Sequence, residues 1–163
     1  MICAVTGANG FVGSHMVDLL LEKGHEVHAI VREKSNTKWL DGKDVQIHRC
    51  GLGDVAQLAA VFAPCHYIFH IAGVVKALNL DGFLRGNVQT TERVFEAAKY
   101  ATDLRRIVVV SSMAATGFAE IGSEVDEQSP LQPIEPYGIS KVEQEKVAYL
   151  HKGTIPYLSL IHI

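Results

Sequence analysis

Tyr137 and Lys141 stand four residues apart in Pro136-Tyr-Gly-Ile-Ser-Lys141, a spacing that puts both side chains on one helix face, one turn apart. A free phenol ionises near about pH 10, and a neighbouring ammonium stabilises its phenolate, which brings tyrosine toward use as a general acid or base near neutrality. Such pairs also decorate solvated helix faces, so other groups must converge on this one. Ser112 is the first of these: it follows the β-branched run Arg106 to Ser111, the natural carboxyl end of a buried strand. In an open parallel sheet that edge is where ligands bind. Serines also end strands as turn formers, and position alone leaves both readings open.

The second feature is the run Val5-Thr-Gly-Ala-Asn-Gly-Phe-Val-Gly-Ser-His15. Gly7, Gly10 and Gly13 remove a Cβ wherever a backbone has to turn sharply or approach a ligand closely. A helix from about Phe11 to Lys23 follows, with its unpaired N–H groups and positive dipole end directed into the turn, so an anion is expected there. The elements around it fit. Ile2 to Thr6 is a continuous apolar run suited to a strand covered on both faces. Val12, Met16, Leu19, Leu20 and Lys23 follow helical spacing, and Gly24 supplies a stop. His25 to Val31 forms a second strand, completing a βαβ unit, the context in which a glycine pattern of this kind signals a dinucleotide.

The tip of the second strand meets the adenosine ribose in such units. A carboxylate there accepts hydrogen bonds from the 2′-hydroxyl of NAD, whereas an arginine neutralises the 2′-phosphate of NADP. The tip is Arg32, with Glu33 next and Lys34 and Lys38 behind. NADP is therefore expected ahead of NAD, with Glu33 on a ribose as the alternative.

The remaining elements continue the alternation. Asp44 to His48 is a third strand, Asp54 caps a helix from about Val55 to Phe62, and His66 to Ala72 is a fourth strand running into Gly73. His66 and His70, with Cys65 beside them, do not make three or four convergent ligands, so no metal site is expected. A long amphipathic helix spans about Asp81 to Tyr100, with Phe83, Val88, Thr91, Val94, Phe95 and Ala98 inward and Asn87 as its polar exception. The acidic stretch Phe118 to Glu135, with Pro130 and Pro133 in it and Pro136 just after, reads as a mobile flap or the rim of a site. A helix from Tyr137 to Lys152 and a sixth strand over Ile155 to Ile163 close the pattern.

Composition limits the alternatives. The 163 residues can bury a core in one domain, and a net charge of −3 lacks the basic excess of a nucleic-acid binder. Cys3, Cys50 and Cys65 are odd in number and widely spaced, as free thiols in a reducing compartment would be. No apolar run reaches membrane-span length. A soluble, cytoplasmic protein is expected.

Taken together, T-G-A-N-G-F-V-G at 6–13, H-I-A-G at 70–73, N-V-Q-T-T at 87–91, V-V-V-S-S at 108–112 and P-Y-G-I-S-K at 136–141 resemble the extended short-chain dehydrogenase/reductase group. The likeness is to its NAD-dependent epimerase/dehydratase and dihydroflavonol reductase-like families, and it covers almost the whole chain. It implies a doubly wound parallel α/β sheet, a Rossmann fold of three layers with strand order 3-2-1-4-5-6, serving as an NAD(P)-binding domain over residues 1–163. Phe11 and Val12 would present amides to the pyrophosphate, with Gly7, Asn9, Gly10 and Gly13 forming the rest of the cradle. Ala72 and Gly73 would line the ribose side with Asn87 behind them, and Leu52 and Ser111 would border the cofactor. Ser112 would hold the substrate oxygen, Tyr137 would transfer the proton, and Lys141 would hold the nicotinamide ribose. The substrate implied is a nucleotide sugar, or else a small ketone or flavonoid-like carbonyl compound. Pairing of two chains through the 81–100 and 137–152 helices is implied by analogy. Three departures stand out: Cys50-Gly51 where relatives carry Gly-Asp for the adenine, no aromatic in Ala114-Ala115-Thr116-Gly117, and His162-Ile163 where relatives run on into a substrate-binding portion. That portion is expected to be absent. A cofactor-binding sensor without catalysis is the reading of a different class.

Overall fold

Register decides where the loops go. In the computed structural model, which describes residues 1–119, 122, 124–126 and 128–160, β1 (Ile2–Thr6) pairs in parallel with β2 (Glu26–Ile30) and β4 (Tyr67–His70). β3 (Gln46–His48) lies outside β2, and β5 (Arg106–Val110) then β6 (Tyr157–Leu160) lie beyond β4. The order is β3-β2-β1-β4-β5-β6, as the motifs implied. Thr6 sits opposite both Ile30 and His70, Ile30 opposite His48, and His70 opposite Val109. These strand ends form one row, so the loops carrying Gly7, Arg32, Gly51, Ala72 and Ser112 all leave from one sheet edge, and the order reverses between β1 and β4.

Alternation along the strands sorts two cores. Ala4, Ile68, Ile107 and Val109 face α2 (Val55–Phe62), α4 (Gln89–Ala98) and α5 (Pro136–Leu150), packing with Leu58, Phe62, Val94, Phe95 and Ala148. Cys3, Val5, Val27 and Ala29 face the other way, onto Val17 and Leu20 of α1 (Phe11–Glu22). Toward β6 that second face thins: Tyr67, Phe69 and Val108 are half-buried and Leu158 is 43% exposed. None of the described helices is long and apolar enough to cross a membrane.

Several boundaries differ from expectation. α1 turns Gly13, Ser14, Val17 and Leu20 inward, while Leu19 is exposed, as is Lys23 beyond its end. The reason is that Gly13 lies so close to the Gly7 carbonyl that the contact, not the apolar spacing, sets the helix rotation. β4 stops at His70, which frees Ile71 to Gly73 from the ladder. The helix expected over 81–100 is three pieces: α3 (Leu80–Phe83), capped by Asn79, a π-helical turn (Leu84–Val88), and α4. A π turn inserts one residue into the helical period, and such turns cluster at functional sites. Here it rotates Asn87 fully into the interior. Asp54 caps α2 as expected, accepting from the amides of Ala56 and Gln57. The end of the expected sixth strand, residues 161–163, and residues 120, 121, 123 and 127 of the acidic stretch lie outside the described residues.

Candidate active site

The cradle is built by missing side chains. Gly7 has φ +68°, and a Cβ on it would stand 2.9 Å from the Cα of Ala72. One on Gly13 would stand 2.1 Å from the Gly7 carbonyl oxygen, backbone against backbone. Gly10 donates its amide to that same carbonyl at 2.9 Å and begins α1 in extended conformation. No side chain caps α1, so the amides at Phe11 and Val12 face an exposed turn with the positive end of the helix behind them. The glycines let α1 and the Ala72 segment pack directly on the turn after β1, and the uncapped amides at the helix N-terminus suit a pyrophosphate. Asn9 bridges to the Asn36 carbonyl at 3.2 Å, tying the cradle to the loop after β2.

That loop has an organiser which the sequence reading passed over. Arg49, just after β3, donates from Nη1 to the carbonyls of Glu33 and Ser35 and from Nη2 to the Thr37 hydroxyl. Arg32 and Glu33 remain exposed at the tip, while Lys38 stacks its ammonium over Trp39 at 4.6 Å from the ring centre. Gly51 takes φ +62°, its amide bonded to the Val31 carbonyl, so the backbone runs close under Arg32 with no side chain toward an adenine. Leu52 is half-buried and packs on the core beside α2.

Behind the cradle runs a buried polar chain. The Ala72 amide donates to Thr6 Oγ1 at 3.1 Å, Thr6 Oγ1 meets His70 Nδ1 at 2.8 Å, His70 Nε2 meets Thr91 Oγ1 at 2.8 Å, and Thr91 donates to the Asn87 carbonyl at 2.7 Å. For a neutral imidazole, one arrangement of protons satisfies all four bonds: Thr6 donates to Nδ1, and the ring proton sits on Nε2 and is donated to Thr91. Burial, and then the charge of Lys141, push the His70 pKa down to about 3, which keeps the ring neutral. The chain continues through the Asn87 side chain, which accepts from the Val74 amide at 2.6 Å and donates to the Val74 carbonyl and to Ser140 Oγ. Ser140 in turn donates to the Tyr137 carbonyl at 2.7 Å. His70, weighed in the sequence only as a metal ligand, is the centre of this chain. His66 instead accepts the Ile2 amide.

α5 seats itself by a close approach. A Cβ on Gly138 would stand 2.2 Å from the Ala114 carbonyl oxygen, in the 3-10 turn Met113–Ala115 that Ser112 caps by accepting the Ala114 amide. This contact brings the Tyr137 and Ser112 segments onto adjoining elements. The acidic stretch is tied back at the same place: Gln132 donates to the Thr116 carbonyl, and Gly117 with φ +81° packs against it. Tyr137 is half-buried, its ring 5.9 Å from that of Phe83. Lys141 Nζ lies 5.9 Å from the Tyr137 ring centre and donates to the Val110 carbonyl at 2.9 Å and to Gln144 Oε1 at 2.6 Å. Burial draws the Lys141 pKa down to about 8, with Glu145 pulling the other way. Ser111, expected along the cofactor, is buried with its hydroxyl on Glu145. Gly73 is where the two walls meet: a Cβ on it would stand 3.2 Å from Asn87 Oδ1 and 3.6 Å from Lys141 Nζ.

A parallel sheet of this order, a glycine cradle at its reversal point and a Tyr-Lys helix beside it define an extended short-chain dehydrogenase/reductase. The chain belongs to the NAD dependent epimerase/dehydratase family, whose model matches residues 3–161. Among curated proteins it is 31% identical over 167 residues to an anthocyanidin reductase of Vitis vinifera, covering 89% of this chain and 49% of the relative. It is 34% identical over 156 residues to a putative dihydroflavonol 4-reductase of Synechocystis, covering 91% and 45%. The chain thus spans about half the length of the curated relatives it matches. Among solved structures, the UDP-glucuronic acid 4-epimerase of Bacillus cereus in complex with NAD superposes with a TM-score of 0.82 at 24% identity, over 99% of this chain and 56% of that one, a likeness of fold.

Proposed function

We propose that this chain is the cofactor-binding part of an NAD(P)-dependent oxidoreductase or epimerase/dehydratase that acts at a carbinol or carbonyl carbon. The observation that carries the reading is the meeting of Asn87 Oδ1 and Lys141 Nζ at the Gly73 backbone, one short loop from the Gly7–Ala72 contact. The dinucleotide supplies or accepts hydride when bound. The glycine cradle and the Phe11 and Val12 amides would hold its pyrophosphate, and Ala72, Gly73 and Lys141 the ribose beyond it. Tyr137 would move the proton at its phenolic oxygen, with Lys141 stabilising the phenolate, and the Ser112 hydroxyl would hold the substrate oxygen. Arg32, on a loop braced by Arg49, would receive a 2′-phosphate, which favours NADP over NAD.

Of the two substrate classes the motifs implied, the relatives at 30% identity or more favour the carbonyl compound over the nucleotide sugar, because their names are those of reductases. A substrate-binding portion outside this chain would complete the site and cover the half-exposed sheet face around Phe69, Val108 and Leu158. Pairing of chains through the 81–100 and 137–152 segments, where Tyr100, Tyr149 and Leu150 are exposed, belongs to the same reading and is checked by light scattering.

Titrating the purified chain with NADPH and NADH while following nicotinamide fluorescence tests the cofactor: saturable binding with NADPH the tighter is expected, and no binding of either overturns the reading. Tyr137→Phe in the full-length enzyme should abolish most turnover while sparing cofactor affinity. Unaltered turnover removes Tyr137 from the mechanism.

A further inference from the structure

Gln144 is fully buried on α5, one turn beyond Lys141, yet nothing in the motif set calls for it. Its Oε1 accepts from Lys141 Nζ at 2.6 Å, while its Nε2 is buried without a partner among the described residues. Exchanging the amide oxygen and nitrogen would set donors against an ammonium, so the orientation is fixed and the orphaned half is its consequence. A residue present only to fill space would be apolar, since an unpaired amide in the core is a cost without return. Lys141 is itself only 4% exposed, and its ammonium makes its other bond to the Val110 carbonyl at 2.9 Å. An ammonium has three N–H donors, and these two buried acceptors take two of them.

We infer that Gln144 is a positioning residue for Lys141: its amide oxygen and the Val110 carbonyl form a buried two-point seat that holds the ammonium charged and leaves one N–H for the cleft beside Gly73. The charged and titratable groups around that seat are few. Glu145 faces it from α5 and favours the charge, Tyr137 lies one turn back on the same helix, and neutral His70 faces it from β4. β5 presents a carbonyl and the π turn the uncharged Asn87. Removing the Gln144 oxygen therefore takes away one of two direct acceptors and leaves Glu145, whose carboxylate is engaged by the Ser111 hydroxyl, as the neighbouring charge. The consequence for catalysis rests on the reading of Lys141 as the ribose-holding group; the seat itself does not.

The test is a pH titration of the chain labelled with 13Cε-lysine, with the Lys141 signal assigned by its loss in Lys141→Arg. Gln144→Met keeps the length and volume of the side chain but offers no oxygen, and should move the Lys141 midpoint down by roughly half a pH unit or more. Gln144→Glu returns an acceptor with charge and should move it up by about one unit or more. Midpoints that stay at the wild-type value in both variants, or that move together in one direction, overturn the proposal. If Gln144→Met does not fold, the Glu variant alone decides by the sign of its shift. In the same samples, Gln144→Met should weaken NADPH binding several-fold with Gln144→Glu the less affected. A wild-type chain that binds no dinucleotide would defeat the cofactor reading, while the lysine titration would still decide the role of Gln144.

Discussion

The two walls of the cleft are made by opposite means. On the β1–α1 side the surface is bare backbone, and the determinants are places where no side chain can stand: Gly7 against Ala72, Gly13 against Gly7. On the β4–α5 side the determinants are buried polar groups, linked from Thr6 at the end of β1 through His70 and Thr91 to the Asn87 carbonyl, and from the Asn87 side chain to Ser140. A wall of the first kind fails sterically and all at once. A wall of the second kind fails by unpairing, and in graded steps, because each lost bond leaves a partner without water to replace it.

The largest effect should come from the backbone wall. Gly13→Ala drives a methyl into the Gly7 carbonyl, where neither backbone can yield, and should cost roughly 3–5 kcal/mol of stability by denaturant unfolding and abolish dinucleotide binding. Gly53→Ala, with nothing within 4 Å of its added Cβ, is the control and should change stability by less than about 0.5 kcal/mol. Equal losses in the two variants would remove the steric distinction.

On the polar wall, His70→Leu leaves the Thr6 and Thr91 hydroxyls facing apolar carbon and should cost roughly 2–4 kcal/mol. The same residue sets an acid limb. Its pKa is about 3 in the folded chain against roughly 6.5 unfolded, so the unfolded state binds the extra proton between those values. Its contribution is complete above about pH 6.5 and is lost as pH falls toward 3. Wild type should lose more stability than His70→Leu between pH 7 and pH 4, measured by urea midpoints. Parallel profiles would show that His70 is not the titrating group. The smallest effect is expected at the rim: Arg49→Met frees the 33–37 loop, should cost less than about 1 kcal/mol, and should narrow the preference for NADPH over NADH several-fold in paired titrations.

The contrast also explains what could be read without coordinates. The cradle was legible because a Cβ that cannot be present restricts a position to one residue type, so spacing alone marks Gly7, Gly10 and Gly13. The strand order followed because five motifs came in their family sequence, and the strands' apolar runs mark them as covered. His70 was not legible. A buried histidine and a ligand histidine look alike in sequence, and its partners Thr6 and Thr91 lie 64 and 21 residues away. The break in the helix expected over 81–100 is hidden for a related reason: an amphipathic period runs on through a π turn, and only packing of Gly86 on Val74 and of Asn87 on the Val74 backbone shows where the extra residue enters. The one available signal was Asn87 itself, a polar residue on an apolar face.

By itself the sequence determined which segments are strands, where glycines let the backbone turn and pack closely, and that a phenol and an ammonium share a helix face, because each is a matter of local spacing and of side chains that are absent. The tertiary structure decided which way Lys141 reaches, that His70 is neutral, and that Arg49 braces the loop bearing Arg32. Those depend on partners distant in the chain, and a proton or a charge settles only where burial and a specific acceptor are supplied together.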